Sequence, residues 1–137
     1  MPSRILIAPF LAAALALCGG TALAEPAVLK MTNPGDGLYE IVVSEALGRV
    51  YVAAVGERGQ ENAAILGLDP ATLEVKETID LGKVPGFGLG LNDRTRTLYA
   101  TQTRDGTVAA IDLATGKVVA TIQRGEKAHL REAVVDE

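Results

Sequence analysis

Two glutamates, Glu40 and Glu132, have the type and the placement that could carry chemistry. Each stands three residues before the end of an apolar run, at Val43 in one case and at Val135 in the other. Two carboxylates brought to the mouth of one channel would suit a cation or a basic ligand, because carboxylate oxygens bind hard cations. Alternatively, each is a solvated carboxylate or a partner for a nearby base such as Arg131, and the sequence favours this second interpretation. Paired acid/base catalysis would need burial that raises a carboxyl pKa, which sequence does not show.

Basic side chains on predicted loops form the second group of candidates. The loops that follow each fourth strand, and the hairpins between second and third strands, should share one face of the molecule. Binding sites commonly lie on loops positioned by a rigid scaffold, so we expect a protein or small-molecule ligand on this face or at the channel mouth. The residues expected to bind are Glu40, Arg58, Lys83, Arg104, His129, Arg131 and Glu132.

Several kinds of site are excluded by composition. His129 is the only histidine, so a histidine-based metal cluster or a histidine-dependent triad cannot be built in a conventional way, and an exposed loop histidine is more often polar surface. Cys18 is the only cysteine and lies in a predicted leader, so a disulfide is not expected. The glycines at 86, 88 and 90 do not form G-x-G-x-x-G and precede no helix. We therefore predict no catalytic residue, no metal and no cofactor.

Charge and aromatic content do not favour nucleic-acid binding. The chain has 13 Lys and Arg against 17 Asp and Glu, with a net charge of −4 and the signs interspersed. Tyr39, Tyr51, Phe87 and Tyr99 all stand at strand positions that we expect to be interior. An exposed stacking platform for bases is therefore not predicted.

The elements that must position these residues are strands in a repeat. The stretch 97–125 contains three short runs rich in β-branched residues, bounded by turn residues, and 49–82 follows the same plan. Tyr51 matches Tyr99, and a further apolar run precedes each of these tyrosines. Asp112 and Gly116 supply a carboxylate and a left-handed position for one of the turns. Four strands recurring roughly every 45 residues is typical of a β-propeller blade.

The repeated residues also resemble a known family. The segments 51–54 (YVAA) and 99–102 (YATQ), each followed by an Asp-x-x-Thr tail at 69–72 or 112–115, resemble the YVTN-repeat β-propeller family. More narrowly, most of 37–137 is similar to the N-terminal part of YncE-like periplasmic proteins. The resemblance implies a seven-bladed propeller and no established catalytic residue.

The predicted fold is thus all-β, with propeller blades of four antiparallel strands in a partial propeller over 25–137. We expect one blade at about 39–81, a second at about 86–122 and the start of a third at 130–137. The segment 27–31 is either the outer strand of a closing blade or a frayed leader. Further blades of a longer chain, or other copies, would be needed to close the ring.

The pattern of residues 1–24 predicts a signal peptide. Arg4 is followed by an apolar run over 5–17 and by the small-x-small site at 22–24, so cleavage is expected after Ala24 and the protein should be periplasmic or secreted. The run is too short to span a membrane, which needs about 20 apolar residues. Lipid attachment at Cys18 remains an alternative, although Leu17 is unfavourable just before it.

These features predict an exported, non-enzymatic binding or scaffold protein. An alternative is the N-terminal part of an enzyme-class propeller, akin to lactonases or cofactor-dependent dehydrogenases, with its catalytic groups in other blades. A third possibility is a degraded gene product without a function of its own.

Overall fold

A computed structural model describes residues 27–123, 125 and 128–136. The predicted signal peptide, its cleavage site and Cys18 lie outside these residues. Within them the protein is all-β, and it has no helix of the length and apolarity needed to cross a membrane. The strands are β1 Leu38–Ser44, β2 Arg49–Ala54, β3 Ala63–Leu68, β4 Val75–Gly82, β5 Leu89–Asn92, β6 Thr97–Gln102, β7 Thr107–Asp112 and β8 Lys117–Gln123.

These strands form two separate four-stranded antiparallel sheets, ordered β1-β2-β3-β4 and β5-β6-β7-β8. The turn chemistry expected from the sequence is present. Asp112 accepts a hydrogen bond from the backbone N–H of Ala114 at 2.9 Å, and Gly116 adopts a φ of 64°. Asp69 accepts the corresponding bond from Ala71 at 2.9 Å in the first sheet. The prediction of four-stranded antiparallel blades in an incomplete propeller is confirmed.

The two sheets also share an irregularity. In the first sheet Gly67 pairs with Glu77 and the next residue pairs with Val75, so Lys76 is left over as a bulge. In the second sheet Ala110 pairs with Ala120 and the next residue pairs with Val118, which leaves Val119 in the same place. A bulge bends its strand and increases the local twist. Its recurrence indicates that the sequence repeat encodes the backbone shape of the outer strand as well as the apolar pattern.

The core lies between the two sheets. Tyr51 and Ile65 from the first sheet pack in one buried cluster with Leu98 and Ile111 from the second. Burying a large aliphatic side chain contributes about 1.5–3 kcal/mol, so this shared layer is a main source of stability. The first strand of each sheet, β1 and β5, lie beside each other. This arrangement is the one in which the inner strands of a propeller line its channel.

Two segments that the sequence predicts as strands are irregular. Residues 27–31 have no strand structure, and Val28 and Leu29 are 78% and 96% exposed. The outer strand predicted there would belong to a last blade, which the described residues do not include, so both interpretations of this segment stay predictions. Residues 128–136 are also irregular, although an inner strand was expected from 130. A strand requires a hydrogen-bonded neighbour, and the described residues provide no second strand for either segment. The later segment nevertheless lies directly against β5, where the first strand of a next blade would belong.

Candidate functional site

A cavity of about 590 Å³ opens at one end of the channel, where β1 begins. It lies between the start of β1, the residues just before β5, the loop after β6 and the segment 129–132. Five of the seven predicted binding residues line it together with two aromatic side chains. These residues are Glu40, Arg104, His129, Arg131, Glu132, Tyr39 and Phe87. We call this the channel-mouth cavity.

Two threonines hold the segment 128–133 in place at this cavity. Thr101, which is 1% exposed, donates its hydroxyl hydrogen bond to the carbonyl of Arg131 at 3.2 Å. Thr103 donates a hydrogen bond to the carbonyl of Leu130. These bonds fix the backbone, so the exposed side chains of Arg131 and Glu132 border the cavity.

Gly88 allows the backbone of the segment 128–133 to lie close to β5. A Cβ at Gly88 would lie 1.9 Å from the carbonyl oxygen of Arg131, and one at Gly90 would lie 2.7 Å from that of Ala133. Any side chain at Gly88 would therefore push the segment away from β5. The sequence suggested close packing near the channel axis for these glycines, and the structure shows which backbone approaches them.

One wall of the cavity is aromatic. The rings of Tyr39 and Phe87 meet edge to face, with centroids 4.8 Å apart and planes at 84°. The guanidinium of Arg104 lies 5.6 Å from the centroid of the Phe87 ring, within cation–π range. The backbone N–H of Phe87 donates to the carbonyl of Thr101 at 2.8 Å, which ties this wall to β6.

The exposure of Tyr39 corrects a prediction. All aromatic strand positions were expected to be interior, and Tyr51 is 1% exposed as expected, but Tyr39 is 65% exposed. Tyr39 lies on the same face of β1 as Ile41 and Val43, which follow it at alternate positions and are each 60% exposed. This whole face of the inner strand is therefore open, and the exposure of Tyr39 follows from the strand's ordinary alternation.

Glu40 bridges the two sheets. Its Oε2 accepts a hydrogen bond from the backbone N–H of Leu89 at 3.2 Å, and the residue is half-buried. The sequence left open a ligand-binding carboxylate, a solvated carboxylate or a partner for a base such as Arg131. The structure shows a different partner, a backbone amide of the neighbouring sheet. Glu132, which occupies the equivalent repeat position, is exposed.

Arg58 and Lys83 do not reach the channel-mouth cavity. They line a smaller cavity of about 170 Å³ beside the hairpin between β2 and β3, and Arg104 borders both cavities. Lys83 forms an exposed ion pair with Glu61 at 2.8 Å. The predicted binding residues therefore divide into two groups that meet at Arg104.

The opposite end of the channel carries a joint between the sheets that sequence reasoning missed. Asp93 accepts hydrogen bonds from the Ser44 hydroxyl at 2.5 Å and from the N–H of Ala46 at 2.9 Å. Both bonds hold the pKa of Asp93 below the ordinary aspartate value, and the bond from Ala46 contributes more than the bond from Ser44. The sequence held one signal for the importance of this end of the strands, because Ser44 and Asn92 occupy equivalent places in the two repeats. Each of these side chains accepts a hydrogen bond from the backbone N–H three residues later.

A second electrostatic feature lies between the strands of the first sheet. Burial raises the pKa of Tyr51 to about 12, and the charge of Glu77, which accepts a hydrogen bond from the Tyr51 hydroxyl at 3.2 Å, adds to the shift. This phenol is enclosed in the core and does not face either cavity. Among the described residues, no group of three or more histidine, cysteine, aspartate or glutamate side chains is arranged to hold a metal ion.

Two four-stranded antiparallel sheets with adjacent inner strands define the protein as an incomplete β-propeller. Over 85 residues it is 35% identical to the uncharacterized protein YncE of Escherichia coli (strain K12) and 34% identical to the YncE of Salmonella typhi. The aligned stretch covers 61% of this chain and 24% of each relative, so the chain matches about a quarter of the length of these curated relatives. No protein-family model matches the chain, and the assignment to the YVTN repeat stays a prediction.

Proposed function

We propose that the protein is an exported, non-enzymatic binding or scaffold protein of the YVTN-repeat, YncE-like type, and that its ligand docks in the channel-mouth cavity. The observation that carries this proposal is the convergence of five predicted residues and two aromatic rings on one cavity. Those residues come from four places in the chain that are far apart in sequence. A concave site with an aromatic wall and a few polar groups is the usual form of a small-molecule site.

The use of the polar groups favours binding over catalysis. Nucleophilic catalysis needs a hydroxyl that donates to a base, but Thr103 donates to a backbone carbonyl. Of the two lining carboxylates, Glu40 already accepts a hydrogen bond from the amide of Leu89 through its Oε2, and Glu132 is exposed rather than enclosed as catalytic bases usually are. The other polar groups of the lining, Arg104, His129 and Arg131, are suited to binding a charged ligand.

Export and ring closure are part of the same proposal. The leader at 1–24 would direct the chain to the periplasm or outside the cell. The second sheet leaves apolar side chains uncovered on its outer strand, with Val118 44% and Ile122 52% exposed. Further blades of a longer parent, or other copies of the chain, would cover such a face. Cell fractionation of a bacterium expressing the chain with and without residues 1–24 tests export: recovery of both forms in the cytoplasm would contradict it.

Binding can be tested by thermal shift of the purified chain against a panel of amino acids, dipeptides, organic acids and polyamines. We expect at least one class to raise the melting temperature, and the shift to be lost in Arg104→Gln. Arg94→Gln is the matched control, because Arg94 is an exposed arginine in the turn between β5 and β6, away from the cavity lining. No stabilising compound, or equal losses in the two variants, would overturn the proposal.

A further inference from the structure

We propose that the channel-mouth cavity selects a small organic anion, a carboxylate attached to a planar apolar body. This inference rests on the proposed binding function and adds the chemical class of the ligand. Three features of the cavity lead to it: its balance of available charge, the placement of Arg104 and the exposed aromatic wall.

Two carboxylates and two guanidinium groups line the cavity, so what distinguishes them is which of them already has a partner. Of the two lining carboxylates, Glu40 accepts a hydrogen bond from the amide of Leu89 and is held between the sheets. Glu132 is the other. The cavity is also lined by the guanidinium groups of Arg104 and Arg131, and neither of them forms an ion pair with another described residue. A ligand carboxylate therefore meets two guanidinium groups that have no competing carboxylate bonded to them within the described part of the chain.

Arg104 is the natural anchor for such a carboxylate. Its guanidinium is held over the Phe87 ring at 5.6 Å, which limits its motion without using its N–H donors. It borders both the channel-mouth cavity and the smaller cavity that Arg58 lines. The planar fork of an arginine matches a carboxylate with two parallel hydrogen bonds.

The apolar part of the ligand is specified by Tyr39. Its ring is 65% exposed and lies against Phe87 at the cavity, so one aromatic edge pair is formed while much of the Tyr39 surface faces solvent. A planar apolar body next to the anchored carboxylate would cover that surface. Aromatic pairs are worth about 0.5–1.5 kcal/mol beyond the area they bury. The expected ligand is thus neither a bare inorganic anion nor a neutral aromatic molecule.

Fluorescence titration tests this class with 2-naphthoate, its neutral counterpart 2-naphthamide, and inorganic phosphate as a competitor. The full chain contains no tryptophan, so the probe fluorescence can be read directly. We expect 2-naphthoate to bind about ten-fold more tightly than 2-naphthamide, and Arg104→Gln to weaken only the naphthoate, also by about ten-fold. Glu132→Gln should tighten 2-naphthoate by about two- to five-fold, because it removes one of the two negative charges that line the cavity. Arg94→Gln should leave both affinities unchanged.

The outcomes separate this inference from the proposed function. Equal affinity for naphthoate and naphthamide, complete displacement by phosphate at similar concentration, or weaker naphthoate binding in Glu132→Gln would overturn the anion inference. If at the same time the compound panel yields a ligand whose effect depends on Arg104, the binding function stands. If neither naphthalene probe nor any panel compound binds, both proposals fail. The Glu132→Gln variant guards against misfolding as an explanation, since a loss of fold cannot increase affinity.

Discussion

Replacing Gly88 with alanine tests whether the segment 128–133 is docked on β5 as the structure shows. The new Cβ would lie 1.9 Å from the carbonyl oxygen of Arg131 and 2.8 Å from the hydroxyl of Thr101. Packed interiors do not accommodate such contacts, and restoring a separation of about 3 Å requires the carbonyl to move by about 1 Å. The β5 backbone cannot move instead, because its neighbour Leu89 is 2% exposed in the core.

The size of the effect follows from the bonds that this movement breaks. The hydrogen bond from Thr101 to Arg131 is already 3.2 Å long, and the bond from Thr103 to Leu130 belongs to the same stretch of backbone. At about 1 kcal/mol each, the docked state loses about 2 kcal/mol. That loss corresponds to about a 30-fold increase in the opening of the segment. Global stability should change less, because alanine in place of glycine restricts the unfolded chain and returns about 0.4–1 kcal/mol.

Native-state hydrogen exchange read by mass spectrometry separates these two effects. Peptides from 128–136 should exchange faster in Gly88→Ala, while peptides from β2, β3, β6 and β7 should keep their protection. Gly67→Ala is the matched control: Gly67 lies in β3, and its added Cβ would come within 3.1–3.2 Å of Glu77 and Tyr51 in the first sheet, so any strain arises away from the segment 128–136. Unchanged exchange in 128–136 for Gly88→Ala, or the same acceleration in Gly67→Ala, would refute the docking.

Two further predictions concern titration. The pKa of Tyr51 should be near 12 in an ultraviolet difference titration, above its ordinary value of 10.0. The contribution of this raised pKa to stability is present below pH 10.0 and is lost as the pH rises toward 12. Glu77→Gln should lower the pKa of Tyr51, because the Glu77 charge and hydrogen bond both raise it. A Tyr51 that ionises at its ordinary value of 10.0 would contradict this. Asp93 has a lowered pKa, so its contribution to stability is present above the ordinary value of 3.8 and is lost as the pH falls below it. Urea unfolding of Asp93→Asn should therefore show a smaller acid-induced loss than the unaltered chain, and parallel pH profiles would argue against the joint.

The strands and turns could be predicted because their signals are local. The Asp and Gly residues of the turn at 112–116 specify that turn without reference to the rest of the molecule. The two strands predicted at 27–31 and from 130 depend on pairing partners that the described residues do not supply, so they stay predictions. Position in the repeat also predicted that Glu40 and Glu132 would come to the same cavity.

The parts of the site that sequence did not predict are contacts between sheets. Asp93 meets Ser44 across 49 positions in the chain, and Thr101 meets Arg131 across 30. Such contacts depend on how the sheets pack, and a single sequence carries no record of packing. The exposure of Tyr39 was missed because periodicity marks one face of β1 as apolar but does not show that this face, with Ile41 and Val43 on it, is left open.

At the channel-mouth cavity the repeat departs from its own pattern at one position. Where β1 has Glu40, whose carboxylate reaches the amide of Leu89, the second sheet has Gly88, which has no side chain to reach the next segment. The backbone of Arg131 occupies the space instead and is held there by Thr101. A glutamate at position 88 would keep this segment away from β5 and would place another carboxylate beside Arg104. The glycine therefore admits the segment that carries Arg131, and it adds no third carboxylate to a cavity that Glu40 and Glu132 already line.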